Sequence, residues 1–348
     1  MMRWLDLKPY GERDDDGFLA DMNALTEHHV QGCQTYRRIL KSWKPADRIA
    51  TLPFLHVELF KHLELRTQSH GIRHHRTLLS SSTSGNTASK IILDNKSSIL
   101  QSRSSNLILR EFLSAGQRPL IVLDNAGSLR RRGEVSARVA AALALRPFAT
   151  EIHFALSDGN NDLYVDWDKI RSLLENNDSI LVYGFTTMLW EGWGEMLEKE
   201  TVSLNLEGKT VDFVHSGGWK RLEGSRIERN RFDDALLKDL STESRVIEYY
   251  GLVEQVGIVY PRCSQGFFHV PIWADVLVRD SYTGESVEGE VGQLQLMNLL
   301  AYGSPYHNVL TEDMGKIIGE RCNCGRSGKK FELLGRIPRA ELRGCANV

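Results

Sequence analysis

The chain has 348 residues and is close to neutral, with 43 Lys and Arg against 45 Asp and Glu for a formal charge of −2. That length suits one large α/β domain or two smaller ones, and the balanced charge excludes the whole-chain basic field that nucleic-acid binders use. No apolar run reaches the roughly 18 residues needed to cross a bilayer, and the N-terminus turns acidic where a signal peptide would be apolar, so no membrane span and a cytoplasmic location are expected.

Residues 1–50 read as a helical segment, with Phe18, Met22, Leu25 and His29 on one face and Tyr36, Ile39 and Leu40 continuing after a break near Gly32. Pro45 ends it, and a strongly apolar block occupies 52–65. The stretch from Ser80 to Lys90, SSSTSGNTASK, is a run of small hydroxylated residues around Gly85. Small side chains let backbone amides approach a polyphosphate, while hydroxyls and the Lys90 ammonium add donors. The same composition also suits a flexible linker. It is not the P-loop of NTPases, because Ser89-Lys90-Ile91 lacks both the glycine before the lysine and the Ser or Thr after it.

From residue 120 onward, short apolar runs at 120–123, 152–155, 180–183, 211–214 and 245–250 alternate with helical patterns at 131–145, 166–175, 186–198 and 232–240. Such alternation predicts an α/β fold with a mainly parallel sheet flanked by helices, whose ligands sit beyond the carboxyl ends of the strands. The final third reads as strands at 270–278 and 289–296 separated by a turn at 280–285, a smaller antiparallel β subdomain. The expected division is a helical segment at 1–50, an α/β core at 51–262, a β-rich subdomain at 263–336 and a short tail at 337–348.

Two loops fall where the sheet's ligand edge should be: His215-Ser216-Gly217-Gly218-Trp219-Lys220 and Tyr250-Gly251-Leu252-Val253-Glu254. Their glycines permit close backbone approach, their aromatics offer faces for a base, and Glu254 suits a magnesium ion on nucleotide phosphates. Taken singly, each reads first as an ordinary turn or a solvated carboxylate. Further on, Asp313 lies in a Thr-Glu-Asp loop suited to a ribose diol, and Arg336 follows Gly335 as a partner for phosphate or ribose. Cys263, His269, Cys322 and Cys324 supply three thiols and an imidazole, a set that fits tetrahedral zinc and fits ordinary reduced cysteines beside a buried histidine just as well.

The order of these motifs resembles the acyl-adenylate-forming superfamily, and within it the acyl-protein synthetase of the bacterial luciferase system, with phenylacetate-coenzyme A ligase as a neighbour. Residues 52–53 through 60–61, the loop at Ser80, Ser136-Ala137-Arg138, Tyr183-Gly184-Phe185, 215–220 and 321–345 carry the resemblance. It implies ATP- and magnesium-dependent activation of a carboxylic acid as an acyl-adenylate, then transfer to a thiol. Thr83, Ser84, Thr87 and Lys90 would contact phosphates alongside Gly85; Gly217 and Gly218 would border the adenine, with Tyr250 stacked near it beside Gly251. Glu254 would serve magnesium, Asp313 the ribose and Arg336 the phosphate or ribose. Resemblance to the phenylacetate-coenzyme A ligase group favours structural zinc at Cys263, His269, Cys322 and Cys324, and resemblance to the luciferase-system enzyme makes Cys345 an acyl-carrying nucleophile.

The loop departs from the superfamily's Ser-Gly-Thr-Thr-Gly at Asn86 and Ala88, and Ala88 would be strained at positive φ. Twelve residues follow Arg336, against a mobile C-terminal domain of about a hundred in the superfamily; Lys90 or Lys220 would then share the electrostatic work of that domain's lysine. The implied acceptor is Cys345 within an acyl-accepting chain, a partner protein, a carrier protein or coenzyme A, with a non-catalytic scaffold as the alternative of another class.

Overall fold

The protein is described by a computed structural model covering residues 2–80, 88–125, 134–157, 164–199, 204–218 and 227–337. The five apolar runs become the strands Arg118–Asn125, Ala149–Ser157, Ser179–Phe185, Thr210–Ser216 and Arg245–Tyr250, all paired in parallel. Across the sheet they run 245–250, 210–216, 179–185, 118–125, 149–157, with short antiparallel strands Tyr260–Pro261 and Tyr164–Val165 at the two edges. Continuous apolar runs form such strands because helices cover both faces, so Ile121, Leu181, Val182 and Phe213 are all buried. Local chemistry sets the helix starts: Asp166 accepts a hydrogen bond from Lys169 N at 3.0 Å ahead of Trp167–Asn176, satisfying an amide that the first turn leaves without a partner.

The helical pattern at 186–198 is interrupted. Thr186–Leu189 passes through a π-helical turn, Trp190–Gly194, before Glu195–Glu198. The periodicity of the sequence also gave no notice of a third sheet, in which His74–Leu79 pairs antiparallel with Lys90–Asp94 and parallel with Glu134–Ser136. A helix, Asn95–Arg110, follows directly, capped by Asp94, whose Oδ1 accepts from Lys96 N at 2.9 Å and Ser97 N at 3.0 Å.

The final third forms an antiparallel sheet in the order Phe268–His269, Ser327–Arg336, Asn308–Arg321, Gly292–Asn298, Ala274–Arg279, Ser286–Val287. Leu55–His56, from the apolar block at 52–65, adds to Asn308–Arg321 in parallel. The strand expected over 270–278 begins instead at Ala274, after a turn. Helix Asp15–Gly32 lays Phe18, Met22 and Leu25 into the same core as Trp273 and Tyr306. One buried carboxylate ties these pieces together: Asp275 meets Arg13 Nη2 at 3.0 Å and Lys329 Nζ at 2.7 Å. Burial alone would raise its pKa, but Lys329 and Arg13 outweigh burial and lower it.

The same core holds two stacked imidazoles, His29 and His307, with ring centroids 4.7 Å apart. His29 Nε2 donates to Ala301 O at 3.0 Å, and Nδ1 accepts from Thr67 at 2.7 Å. Thr26 donates to Met22 O, so it accepts from His307 Nε2 at 3.0 Å, leaving His307 Nδ1 bare and buried. Burial, then the charge of His28, pushes His307 down to about 3. The unfolded chain therefore takes up a proton near pH 6.5 that the folded chain refuses until about pH 3, and stability falls as pH drops through that window. Chemical unfolding measured from pH 7 to 4 should lose about 1.4 kcal/mol per pH unit for this site, and His307→Gln, which retains a donor for Thr26, should flatten the slope. An unchanged slope in that variant would refute the assignment.

Candidate active site

Strand pairing closes the base of the hydroxyl-rich loop. Leu79 lies opposite Lys90, Ser80 N donates to Ser89 O at 3.1 Å, and Ser89 N donates to the Ser80 hydroxyl at 2.9 Å. Thr83, Ser84, Gly85 and Thr87 lie outside the described residues. Lys90 is exposed at the first position of its strand. Ala88 carries no strain, since Lys41 and Asp239 are the positive-φ non-glycine residues among those described.

Glu254 sits in a single 3-10 turn, Val253–Gln255, just beyond Arg245–Tyr250, and is only 6% exposed. Burial raises its pKa, opposed by a hydrogen bond with the Ser89 side chain. Lys61 lowers it and Asp313 raises it through their charges, so both lie within electrostatic reach. Among the described residues no salt bridge reaches Glu254. Its hydrogen-bond partners, the Ser89 side chain and its own backbone, are both neutral, so the buried carboxylate has no contacting cation among the described residues.

Asp313 is the next node. It lies opposite Arg336 in the register of Asn308–Arg321 with Ser327–Arg336. Arg336 Nε donates to Asp313 Oδ1 at 3.2 Å, and the Tyr250 hydroxyl donates to Oδ2 at 2.8 Å. The Thr311 hydroxyl accepts from Asp313 N at 3.0 Å. The three separated motifs at 250, 313 and 336 thus meet in one hydrogen-bonded cluster. Tyr250 enters it through its hydroxyl, while its ring stacks on Tyr260 at 5.9 Å and packs edge-on to Phe268 and Phe331.

Gly217 and Gly218 end the neighbouring strand at φ +92° and +57°, a conformation that side chains with a Cβ rarely take. Register brings them to the same sheet edge, since His215 pairs with Glu248 and Ser216 with Phe185. A Cβ on Gly217 would touch the Phe185 ring at 3.4 Å, while Gly251 follows Tyr250 and approaches Ile258 O. His215 lies inside this edge. Thr186 donates to Ser216 O at 3.2 Å, so it accepts from His215 Nδ1 at 3.0 Å, and Nε2 is left buried without a partner. Burial brings His215 down to about 4. The sequence placed this histidine in a motif without giving it a task; its burial and bare nitrogen come from the tertiary packing.

The four sulfur and nitrogen residues gather away from this edge. Cys263 and Gly266 form one tight turn, Cys322 and Gly325 another, each closed by a backbone hydrogen bond and a positive-φ glycine. The ligand atoms of Cys263, His269, Cys322 and Cys324 all lie within 4.8 Å of one another. The Cys263–Cys322 sulfur separation is 3.8 Å, and His269 Nε2 is 3.4 Å from the Cys324 sulfur. Tetrahedral zinc with bonds of about 2.3 Å to sulfur and about 2.0 Å to nitrogen requires separations of about 3.8 and 3.5 Å. The donor set therefore fits zinc in type and spacing. Arg326 Nη1 also approaches the Cys324 sulfur at 3.6 Å, and burial with the nearby Arg326 and Lys330 charges takes His269 down to about 4, neutral as a ligand must be. Cys345 lies outside the described residues.

Comparison with known proteins gives the fold and the family. In an open conformation, 2-hydroxyisobutyryl-CoA ligase, solved with its acyl-adenylate and CoA, superposes with a TM-score of 0.68 at 14% identity, covering 92% of this chain and 69% of that one. A long-chain-fatty-acid-CoA ligase from Archaeoglobus fulgidus gives a TM-score of 0.51 at 11% identity, over 75% of this chain and 51% of that one. Likeness at such identities establishes the fold, that of the adenylate-forming ligases. Among curated proteins no sequence matches the chain. The family profile described as acyl-protein synthetase, LuxE, matches residues 10–348, nearly end to end. With fold and profile in agreement, the chain belongs to the LuxE acyl-protein synthetase family.

Proposed function

We propose that this protein activates a carboxylic acid with ATP as an acyl-adenylate and passes the acyl group to a thiol. The observation that supports the reading is the meeting of Ser89, Glu254, Tyr250, Asp313 and Arg336 near one edge of the parallel sheet, with Ser89 bonded to Ser80 at the base of the hydroxyl-rich segment. A carboxylate acylates poorly until its oxygen joins a good leaving group, and AMP is one. In the first step an oxygen of the acid bonds to the α-phosphorus, and the bond from that phosphorus to the pyrophosphate oxygen breaks with its electron pair. The protein's work is then positioning and charge neutralisation. Asp313 would hold the ribose, Arg336 would face ribose or phosphate, and Gly217 and Gly218 would leave room for the adenine. Thr83, Ser84, Gly85, Thr87 and Lys90 would line the phosphates. Magnesium on the phosphates would supply Lewis-acid charge, and Glu254 is the carboxylate suited to hold it.

Acid-dependent exchange of labelled pyrophosphate into ATP, run against short, long and aromatic acids, tests the first step. Glu254→Ala should lower exchange by about a hundredfold or more; wild-type exchange in that variant would remove the magnesium role.

For the second step, Cys345 is the acceptor within the chain, with a partner protein, a carrier protein or coenzyme A as the onward thiol. Cys345→Ser should leave pyrophosphate exchange intact and abolish covalent labelling of the chain by radioactive acid. Labelling that persists would assign the acceptor elsewhere.

The thiol cluster supports a structural zinc, because four protein donors close the coordination sphere and leave no position for substrate. Such an ion would fasten the turn at Cys263 to the turn at Cys322. Purified protein should contain about one zinc per chain, and Cys322→Ser should lower both metal content and thermal midpoint. A metal-free chain with the same midpoint would contradict it.

A further inference from the structure

We infer that Lys61 is a catalytic residue of the adenylation step, its ammonium facing the phosphates between the loop base at Ser89 and the carboxylate of Asp313. The inference rests on the adenylation reading above.

Backbone pairing puts Lys61 there. Leu55–His56 runs parallel to Asn308–Arg321, with Leu55 opposite Val309 and His56 opposite Leu310, and Val57 N donates to Leu310 O at 2.9 Å. The chain then turns into the short helix Leu59–His62, Phe60 N donating to Val57 O and Lys61 N to Glu58 O. Lys61 therefore stands one helical turn beyond a residue bonded to Leu310, three positions before Asp313. Phe60, 1% exposed, anchors the turn in the core and leaves Lys61 no freedom to swing its backbone away.

Carboxylates hold its ammonium on this side of the site. Lys61 Nζ rests on Glu58 Oε1 at 2.7 Å, with Lys61 20% and Glu58 44% exposed. The Glu58 carboxylate lies close to Glu312, the neighbour of Asp313. Among the described residues, Lys61 is the cation whose charge acts on Glu254. An i,i+3 pair with the partly exposed Glu58 holds the ammonium only weakly, so an arriving phosphate displaces it readily. During transfer the ammonium keeps its proton. It offsets the negative charge that builds on the phosphoryl oxygens and the departing pyrophosphate, a contribution that acts in the transition state more than in ground-state binding.

The blander account makes Lys61 an ordinary surface ion pair, and the two accounts differ in what a neutral side chain changes. Lys61→Met should lower the maximal rate of acid-dependent pyrophosphate exchange about a hundredfold, with the KM for ATP changed less and the thermal midpoint kept, and Lys61→Arg should restore the rate to within about tenfold of wild type. Exchange by Lys61→Met within about threefold of wild type would overturn the inference. Should the methionine variant fail to fold, Lys61→Gln serves in its place, its amide tolerated where the lysine is one-fifth exposed. If the unaltered protein exchanges with no acid at all, the adenylation reading itself fails and takes this role with it, a result distinct from a normal wild type with an unaffected variant.

Discussion

Strand Asn308–Arg321 is hydrogen-bonded on both sides, and everything chemical in the molecule is arranged along it. On one edge it pairs with Gly292–Asn298; on the other it receives Leu55–His56 at Val309 and Leu310 and then pairs with Ser327–Arg336 from Asp313 onward. Register in a strand with a period of two is all-or-none, because a slip by one residue turns every side chain to the opposite face. Here a slip would take Asp313 from Arg336 and from the Tyr250 hydroxyl together. Asn308 to Thr311 are buried on both faces, and beyond them buried Thr311, Asp313 and Gly315 alternate with the part-exposed Glu312 and Met314, an alternation that resists such a slip.

The strand also separates two sites. Asp313 and Cys322 are nine residues apart, about 30 Å along an extended chain. The cluster of Cys263, His269, Cys322 and Cys324 cannot reach a group bound near Asp313, and its chemistry is that of a fastening between two turns. The cluster around Asp313 draws instead on three sheets: Ser89 just before a strand of the small one, Tyr250 and the turn at Glu254 at the end of a strand of the parallel one, Asp313 and Arg336 from the antiparallel one.

Two buried carboxylates show how partners rather than burial decide a group's task. Asp275 has Arg13 and Lys329 in direct contact, and its pKa is lowered; it is a completed structural link between the N-terminal segment and the last hairpin. Glu254 is buried to a similar degree but hydrogen-bonds with a serine, and its pKa is raised. Desolvation that no contacting cation offsets leaves its carboxyl raised. Sequence gives both residues the same letter class, and only their neighbours distinguish them.

The alternation of apolar runs and helical patterns after residue 120 was sufficient to establish the parallel sheet, because a strand buried on both faces must be apolar throughout and its crossover helix must be amphipathic. The motifs at 80–90, 217–218, 250–254, 313 and 336 were likewise visible, since phosphate and nucleotide chemistry demands small, hydroxylated or charged residues that a core does not. The hairpin 308–336 was not, because its outer half, with adjacent pairs such as Ile317-Ile318, Lys329-Lys330 and Leu333-Leu334, shows no period of two and carries bulges that shift the register. Nor were the pairing of Leu55–His56 with that hairpin, the unpartnered nitrogen of His215, or the approach of Lys61 to Glu254. Each of these joins residues far apart in the chain, and long-range register is decided by the packing of whole faces against one another, which no local run of residues encodes.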